Sequence, residues 1–172
     1  MPRFEIEQKF RVKNPAVIRK KILALKAKKI SSGFEQNQVF DLSRLGIEGI
    51  LRLRKTGKKG KLTFKGPRLD GVYKKRVEVE SDVDHDSMHT IFQLLKWKPF
   101  FCYAKNREEY KLGKVMITLD YLKGKGWFVE IEASEKDIKK TALKLGFKDS
   151  DREERTYLEI LGYRRPASLL KK

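Results

Sequence analysis

The residues of this chain with chemical reach come in sets spaced two apart. Glu5 and Glu7 precede Lys9 in FEIEQKF, Arg52 and Arg54 alternate with Leu51 and Leu53, and Thr63 and Lys65 alternate with Leu62 and Phe64. Further on, Arg76, Glu78 and Glu80 alternate with Val77 and Val79, and Lys105 and Arg107 lie two apart. Thr118 and Asp120 oppose Ile117 and Leu119, and Glu130 and Glu132 oppose Val129 and Ile131. Side chains two apart on an extended strand share a face, so each segment carries one apolar and one ionised face. Clustered carboxylates repel unless a cation stands between them. The chemistry that uses such a mixture is cation-assisted: carboxylates hold a hard divalent metal while arginine and lysine hold phosphate oxygens.

One amphipathic strand of this kind is ordinarily a strand with its polar face in water. Two features argue for more. These faces use arginine and carboxylate where solvent-facing strands also use serine, threonine and glutamine freely. If the strands close on themselves, one set of faces must point inward, and an ionised interior is costly unless compensating charge fills it. The expected inner face holds Glu5, Glu7, Glu78, Glu80, Asp120, Glu130 and Glu132 against Lys9, Arg52, Arg54, Lys65, Arg76, Lys105 and Arg107, close to neutral. A triphosphate of charge about −4 entering with two divalent cations would keep it so.

The elements that must position these residues follow from periodicity and turn residues. Asn14-Pro15 is an N-cap followed by proline at the first helical position, and Ile18, Ile22 and Leu25 continue a helix to about Lys29. Strands are expected in FEQNQVFDL, EGILRLRKT, KLTFKGP and VYKKRVEVES, with turns at Gly57 to Gly60 and at Asp70-Gly71. A helix over Ser87 to Lys96 precedes three more strands, FFCYAKNREEYKL, KVMITLDYLKG and WFVEIEAS. Ser134 with Asp137 opens a helix ending at Gly146, and Asp151 is expected to cap a last one through Tyr157, Leu158 and Leu161. About eight strands at hairpin spacing with few helices predict an α+β, mainly β chain built as an antiparallel barrel or strongly curved sheet.

The length of 172 residues predicts one domain over 1–172. No apolar run approaches a membrane span, and the N-terminus lacks the apolar core of a signal peptide, so a soluble, cytoplasmic protein is expected. The formal net charge of +18 favours polyanionic partners. The lone Cys102 excludes an internal disulfide.

EIEQK, Glu5 to Lys9, resembles the E-x-E-x-K signature of the CYTH superfamily, the triphosphate tunnel metalloenzymes that include class IV adenylyl cyclases and thiamine triphosphatases. The resemblance continues in family order through QVFD, LRLR, LTFKGP, RVEVE, KNREEY, ITLDYLKGKGWFVEIE and TYLEILG. It implies an eight-stranded antiparallel tunnel with flanking helices that binds ATP or another triphosphate with Mg²⁺ or Mn²⁺. By position, Glu5, Glu7, Glu130 and Glu132 with Asp120 match metal-binding carboxylates. Lys9, Arg52, Arg54, Lys65, Arg76, Lys105 and Arg107 match the phosphate-gripping lining, while the roles of Glu78 and Glu80 stay open. The resemblance also implies a homodimer.

Two reactions share such a site. In one, the ribose 3′-hydroxyl of ATP attacks the α-phosphate and releases pyrophosphate and cyclic AMP; in the other, water attacks the terminal phosphate of thiamine triphosphate, inorganic triphosphate or a nucleotide. The wording of the blocks is nearer the cyclases, whereas the complete Glu130/Glu132 pair also suits the phosphohydrolases. A non-catalytic nucleic-acid or polyphosphate binding module would explain the basic charge, but its paired carboxylates would repel phosphate. Other signals are set aside: His85 and His89 lack an HExxH setting, no turn has Walker spacing, and Cys102 lacks an activating base. Trp97, Phe100, Phe101 and Tyr103 are read as core aromatics.

Overall fold

The computed structural model describes residues 3–69 and 71–164. Eight strands, β1 (Arg3–Val12), β2 (Lys28–Asp41), β3 (Ile50–Thr56), β4 (Lys59–Lys65), β5 (Lys74–Val83), β6 (Phe101–Leu112), β7 (Val115–Leu122) and β8 (Gly126–Glu132), close in the order β1-β5-β4-β3-β2-β6-β7-β8. Every neighbouring pair is antiparallel. Four helices, α1 (Pro15–Ala24), α2 (His85–Leu94), α3 (Glu135–Leu145) and α4 (Tyr157–Ile160), join or follow the strands. The alternating segments form this barrel because closure pairs every edge strand.

The core lies outside the barrel wall. Phe10, Val12, Ile117, Leu119, Val129 and Ile131 point outward and pack beneath Ile18 and Ile22 of α1 and Ile138, Ala142 and Leu145 of α3. Phe40 and Leu53 pack in the same way beneath Phe92 of α2. With the apolar faces covered by helices, the ionised faces are left to the interior.

Several boundaries differ from expectation. The first helix stops at Leu25 rather than Lys29, and Lys26 takes a left-handed conformation with φ 62° although it is not glycine. The second strand starts at Lys28, six residues before Phe34, because β6 pairs with this polar stretch through a register shift between Lys29 and Ser31. Asp151 caps no helix: it sits in a short 3-10 turn, and α4 is capped by Thr156, whose hydroxyl accepts from the Glu159 N–H while the Glu159 carboxylate accepts from the Thr156 N–H. Asp70 of the expected Asp70-Gly71 turn lies outside the described residues. Among those described, no helix is long and apolar enough to cross a membrane.

Candidate active site

The inward faces enclose a cavity of about 580 Å³, within the range of small-molecule sites. Eleven of the twelve site residues expected from the sequence line it: Glu5, Glu7, Lys9, Arg52, Arg54, Lys65, Arg76, Lys105, Arg107, Glu130 and Glu132. Lys61, Glu78, Glu80, Tyr103, Glu109 and Thr118 join them. The lining carries seven carboxylates and eight cations. Glu35, Asp120 and Lys74, buried immediately behind, make the whole set neutral. The chain's +18 therefore resides elsewhere.

Strand register pairs most of these charges with their opposites. Glu5 faces Arg76 and Glu7 faces Lys74 across β1 and β5, Lys9 faces Glu130 across β1 and β8, and Lys65 faces Glu78 across β4 and β5. The Lys65 ammonium donates to Glu78 and, at 3.3 Å, to Glu5, while Arg76 reaches Glu5 at 3.8 Å and Glu7 at 3.6 Å. Two cross-strand pairs of the lining set like charges opposite each other, Glu7 of β1 with Glu132 of β8 and Arg54 of β3 with Lys61 of β4, an arrangement that is destabilising for like charges.

The open roles of Glu78 and Glu80 resolve into holding cations. Glu80 accepts from Thr63 at 3.0 Å and from Lys61 at 3.0 Å, and lies 3.5 Å from Arg52. Burial alone would raise the Glu80 carboxyl, but Lys61 and Arg52 outweigh it and hold the group at about 2. Elsewhere the balance differs. Burial pushes Glu5 above the usual carboxylate range despite Lys65. Burial also acts to raise Glu130, yet Lys9, Lys105 and Arg107 hold it well below.

Asp120 is the expected residue that does not line the cavity. It is fully buried and spent on its neighbours: Arg107 donates Nε to Oδ1 at 2.7 Å and Nη2 to Oδ2 at 2.6 Å, and Lys105 donates to Oδ2 at 2.9 Å. Tyr157 donates its hydroxyl to the same Oδ2 at 2.6 Å. Glu35 works alongside it, 3.0 Å from Arg54 and 3.6 Å from Lys105. Asn37 Oδ1 accepts from Arg54 Nε at 2.9 Å. Sequence reasoning missed Glu35, Asn37 and Lys74, although each continues a period of two: Glu35 and Asn37 run into Val39 in FEQNQVFD, and Lys74 precedes Arg76. Tyr103, expected in the core, lines the cavity, two residues before Lys105. Trp97 does pack against Phe40 and Phe92.

The C-terminal segment reaches the same space. Arg152 bridges to Phe10 of β1, the Glu153 N–H donates to the Lys9 carbonyl at 2.9 Å, and Thr156, Tyr157 and Leu158 enter the lining. Lys9 donates to the Arg155 carbonyl at 3.0 Å, and buried Lys74 to the same carbonyl at 3.3 Å. Burial, with Lys9 nearby, lowers the Lys74 ammonium to about 8.

Could these residues hold a divalent cation? Glu5, Glu7, Glu130 and Glu132 supply only oxygen donors from two adjacent strands, the donor set of Mg²⁺ or Mn²⁺ rather than of zinc. Among the described residues no three such groups already converge on one point; Lys65, Arg76, Lys9 and Arg107 draw Glu5, Glu7 and Glu130 toward themselves. The donor chemistry and the opposed Glu7 and Glu132 fit a cation. For phosphate oxygens, Arg52 Nε in the lining is buried and has no hydrogen-bond partner among the described residues.

A closed antiparallel barrel with an ionised, charge-balanced interior defines the class of protein. The chain matches the CYTH domain model over residues 3–157 and belongs to that family, whose members are adenylyl cyclase-like or triphosphatase enzymes. A Methanocaldococcus jannaschii protein named "Putative adenylate cyclase" is 30% identical over 138 residues, covering 78% of this chain and 79% of that one. Among solved structures, a Pyrococcus horikoshii protein matches with TM-score 0.79 and 32% identity, covering 91% of this chain and 98% of the other. A Hippeastrum protein, titled a "Putative adenylyl cyclase" with a dominant triphosphatase activity, shares the fold at TM-score 0.69 and 18% identity, covering 94% of this chain and 98% of its own.

Proposed function

We propose that this chain is a metal-dependent enzyme that binds a triphosphate inside the barrel and converts ATP into cyclic AMP and pyrophosphate. The observation that carries the reading is the near-neutral lining, in which carboxylates predominate on β1 and β8 and cations on β3 and β6. A triphosphate of charge about −4 would leave a near-neutral site with uncompensated charge unless cations entered with it. Glu5, Glu7, Glu130 and Glu132 would hold Mg²⁺ or Mn²⁺, which when bound neutralises phosphate charge and polarises the phosphoryl oxygens. Arg52, Arg54, Lys65, Lys105 and Arg107 grip the phosphates and stabilise the charge that develops on departing pyrophosphate as the 3′-hydroxyl bonds to the α-phosphorus. Lys9, in the lining, holds Glu130 and the Arg155 carbonyl, and Asp120, from behind, holds Lys105 and Arg107.

A triphosphatase reading is favoured by a specific feature, the complete Glu130/Glu132 pair with Glu132 opposite Glu7. The Hippeastrum protein of this fold, named a putative adenylyl cyclase, has a dominant triphosphatase activity. Phosphorus NMR of purified protein with Mg²⁺ or Mn²⁺ and ATP, thiamine triphosphate or inorganic triphosphate separates the two readings. Pyrophosphate together with cyclic AMP is the expected outcome; orthophosphate without cyclic nucleotide would move the chain to the phosphohydrolases.

A further inference from the structure

Tyr157 belongs to a short helix remote in sequence from the barrel, yet it touches three of the charged groups at the site. It is 6% exposed and packs edge-on against Phe128, with ring centroids 5.7 Å apart. Its ring carries two ammonium groups, Lys9 at 3.8 Å and Lys105 at 4.6 Å from the centroid. Its hydroxyl donates to Asp120 Oδ2 at 2.6 Å, the oxygen that also receives Lys105 and Arg107. The Thr156/Glu159 capping box fixes the backbone that presents it, and Glu153, holding Arg11 at 2.7 Å and Arg155 at 2.8 Å, anchors the approach.

We propose that Tyr157 is a positioning residue for the phosphate-binding cations: through Asp120 it sets Lys105 and Arg107, and its ring face supports the Lys9 and Lys105 ammoniums. The chemistry requires a tyrosine. A carboxylate that accepts from two cations and one neutral donor keeps a net attraction for both cations while its buried oxygens stay saturated. A flat ring beneath two ammoniums supplies attraction without a countercharge that would compete with phosphate. On this view the C-terminal segment completes the site rather than merely closing it. The inference rests on the reading of the barrel as a triphosphate site.

The test measures binding of inorganic triphosphate with Mg²⁺ by titration calorimetry in the full chain, alongside thermal unfolding. Tyr157→Phe keeps the ring and its packing and removes only the hydroxyl; it is expected to weaken binding about tenfold, the scale of one charged hydrogen bond. Tyr157→Leu is expected to lose about fivefold more, the scale of a desolvated cation–π contact. In an Asp120→Asn background the Phe substitution should cost less than about twofold, because the hydroxyl acts through that carboxylate. Wild-type affinity in Tyr157→Phe, or full additivity with Asp120→Asn, would overturn the proposal; if the Leu variant does not fold, the Phe variant decides. A second readout is independent of ligand: the Lys105 Nζ signal in nitrogen-15 NMR, identified by its absence in Lys105→Arg, should be protected from exchange in the wild type and lose protection in Tyr157→Phe. Should the wild type bind no triphosphate, the functional reading fails. The positioning role then stands if that protection is lost in the Phe variant and falls if it is kept.

Discussion

On the wall formed by β3, β2 and β6, Arg52, Arg54, Lys105 and Arg107 face the cavity beside a single carboxylate, Glu109, and the carboxylates that hold Arg54, Lys105 and Arg107, namely Glu35 and Asp120, are buried behind. On the opposite wall, β1 and β8, four carboxylates face the cavity together with Lys9, and Arg76 and Arg107 reach in from other strands. Both walls use the same residue types; they differ in which sign predominates at the cavity surface. Lys105 has Asp120 and Glu35, and Arg107 has Asp120 and Glu130, so these cations are oriented before any ligand arrives. The carboxylate wall instead keeps Glu7 opposite Glu132 and lets burial raise Glu5. A preorganised cationic wall suits an anion that must be placed accurately. A strained carboxylate wall suits a cation that arrives with that anion.

The largest expected effect breaks the carboxylate wall. Glu7→Gln keeps shape and removes one charge, and turnover of the preferred triphosphate should fall about 10³-fold, the scale of losing one preorganised electrostatic contact. Turnover within tenfold of the wild type would show that this wall is not the functional one.

Next comes the cationic wall. Arg107→Met removes the bidentate partner of a fully buried carboxylate, leaving Asp120 to Lys105 and Tyr157. Breaking a buried pair from one side costs about 3 kcal/mol, so urea unfolding should show a loss of that order. A loss below about 1 kcal/mol would mean that the preorganisation described here is energetically idle.

How much of this was legible in the sequence follows from the same contrast. The inward faces were readable because parity needs no partner: Glu5 and Glu7, or Arg52 and Arg54, declare a shared face from spacing alone. What parity leaves out is depth. Asp120 and Thr118 point to the same side, but only Thr118 reaches the cavity, because Arg107, Lys105 and Tyr157 converge on Asp120 from two other elements. Glu35 and Asn37 were missed since FEQNQVFD reads equally as a wet strand until Arg54 and Lys105 are known to lie across it. The early end of α1 had no glycine to mark it, and the start of β2 had no apolar alternation, so both depended on pairing with β6.

A smaller effect sharpens the link between the walls. If the carboxylates accept a metal only as the cations accept a triphosphate, inorganic triphosphate should raise the apparent affinity for Mg²⁺ or Mn²⁺ about tenfold, a coupling of about 1.4 kcal/mol. Isothermal titration with and without triphosphate measures it directly. Equal affinities would separate the two walls and remove the charge-neutrality argument.

The anchor of the C-terminal segment gives a pH signature. Hydrogen bonds from Arg155 and the charge of Arg11 hold Glu153 at about 2, below its ordinary 4.5. A carboxyl lowered on folding stabilises the native state above its unfolded value, and that contribution is lost as pH falls from about 4.5 toward 2. Glu153→Gln should therefore make stability less steeply pH-dependent in that window, as read from urea midpoints at successive pH values. An unchanged slope would show the anchor to be electrostatically silent.

The smallest effect tests the face assignment itself. On β6 the chain alternates between Tyr103, Lys105 and Arg107 toward the cavity and Cys102 toward the exposed exterior. Cys102→Ser should change stability by less than about 0.5 kcal/mol and leave turnover alone, while its neighbour Tyr103 sits among the cations of the lining. A one-residue slip of register would reverse the two. A loss of activity in Cys102→Ser with an indifferent Tyr103→Phe would therefore count against the closed barrel's inward set as a whole, because every strand's face is tied to its neighbour's through the same continuous ladder.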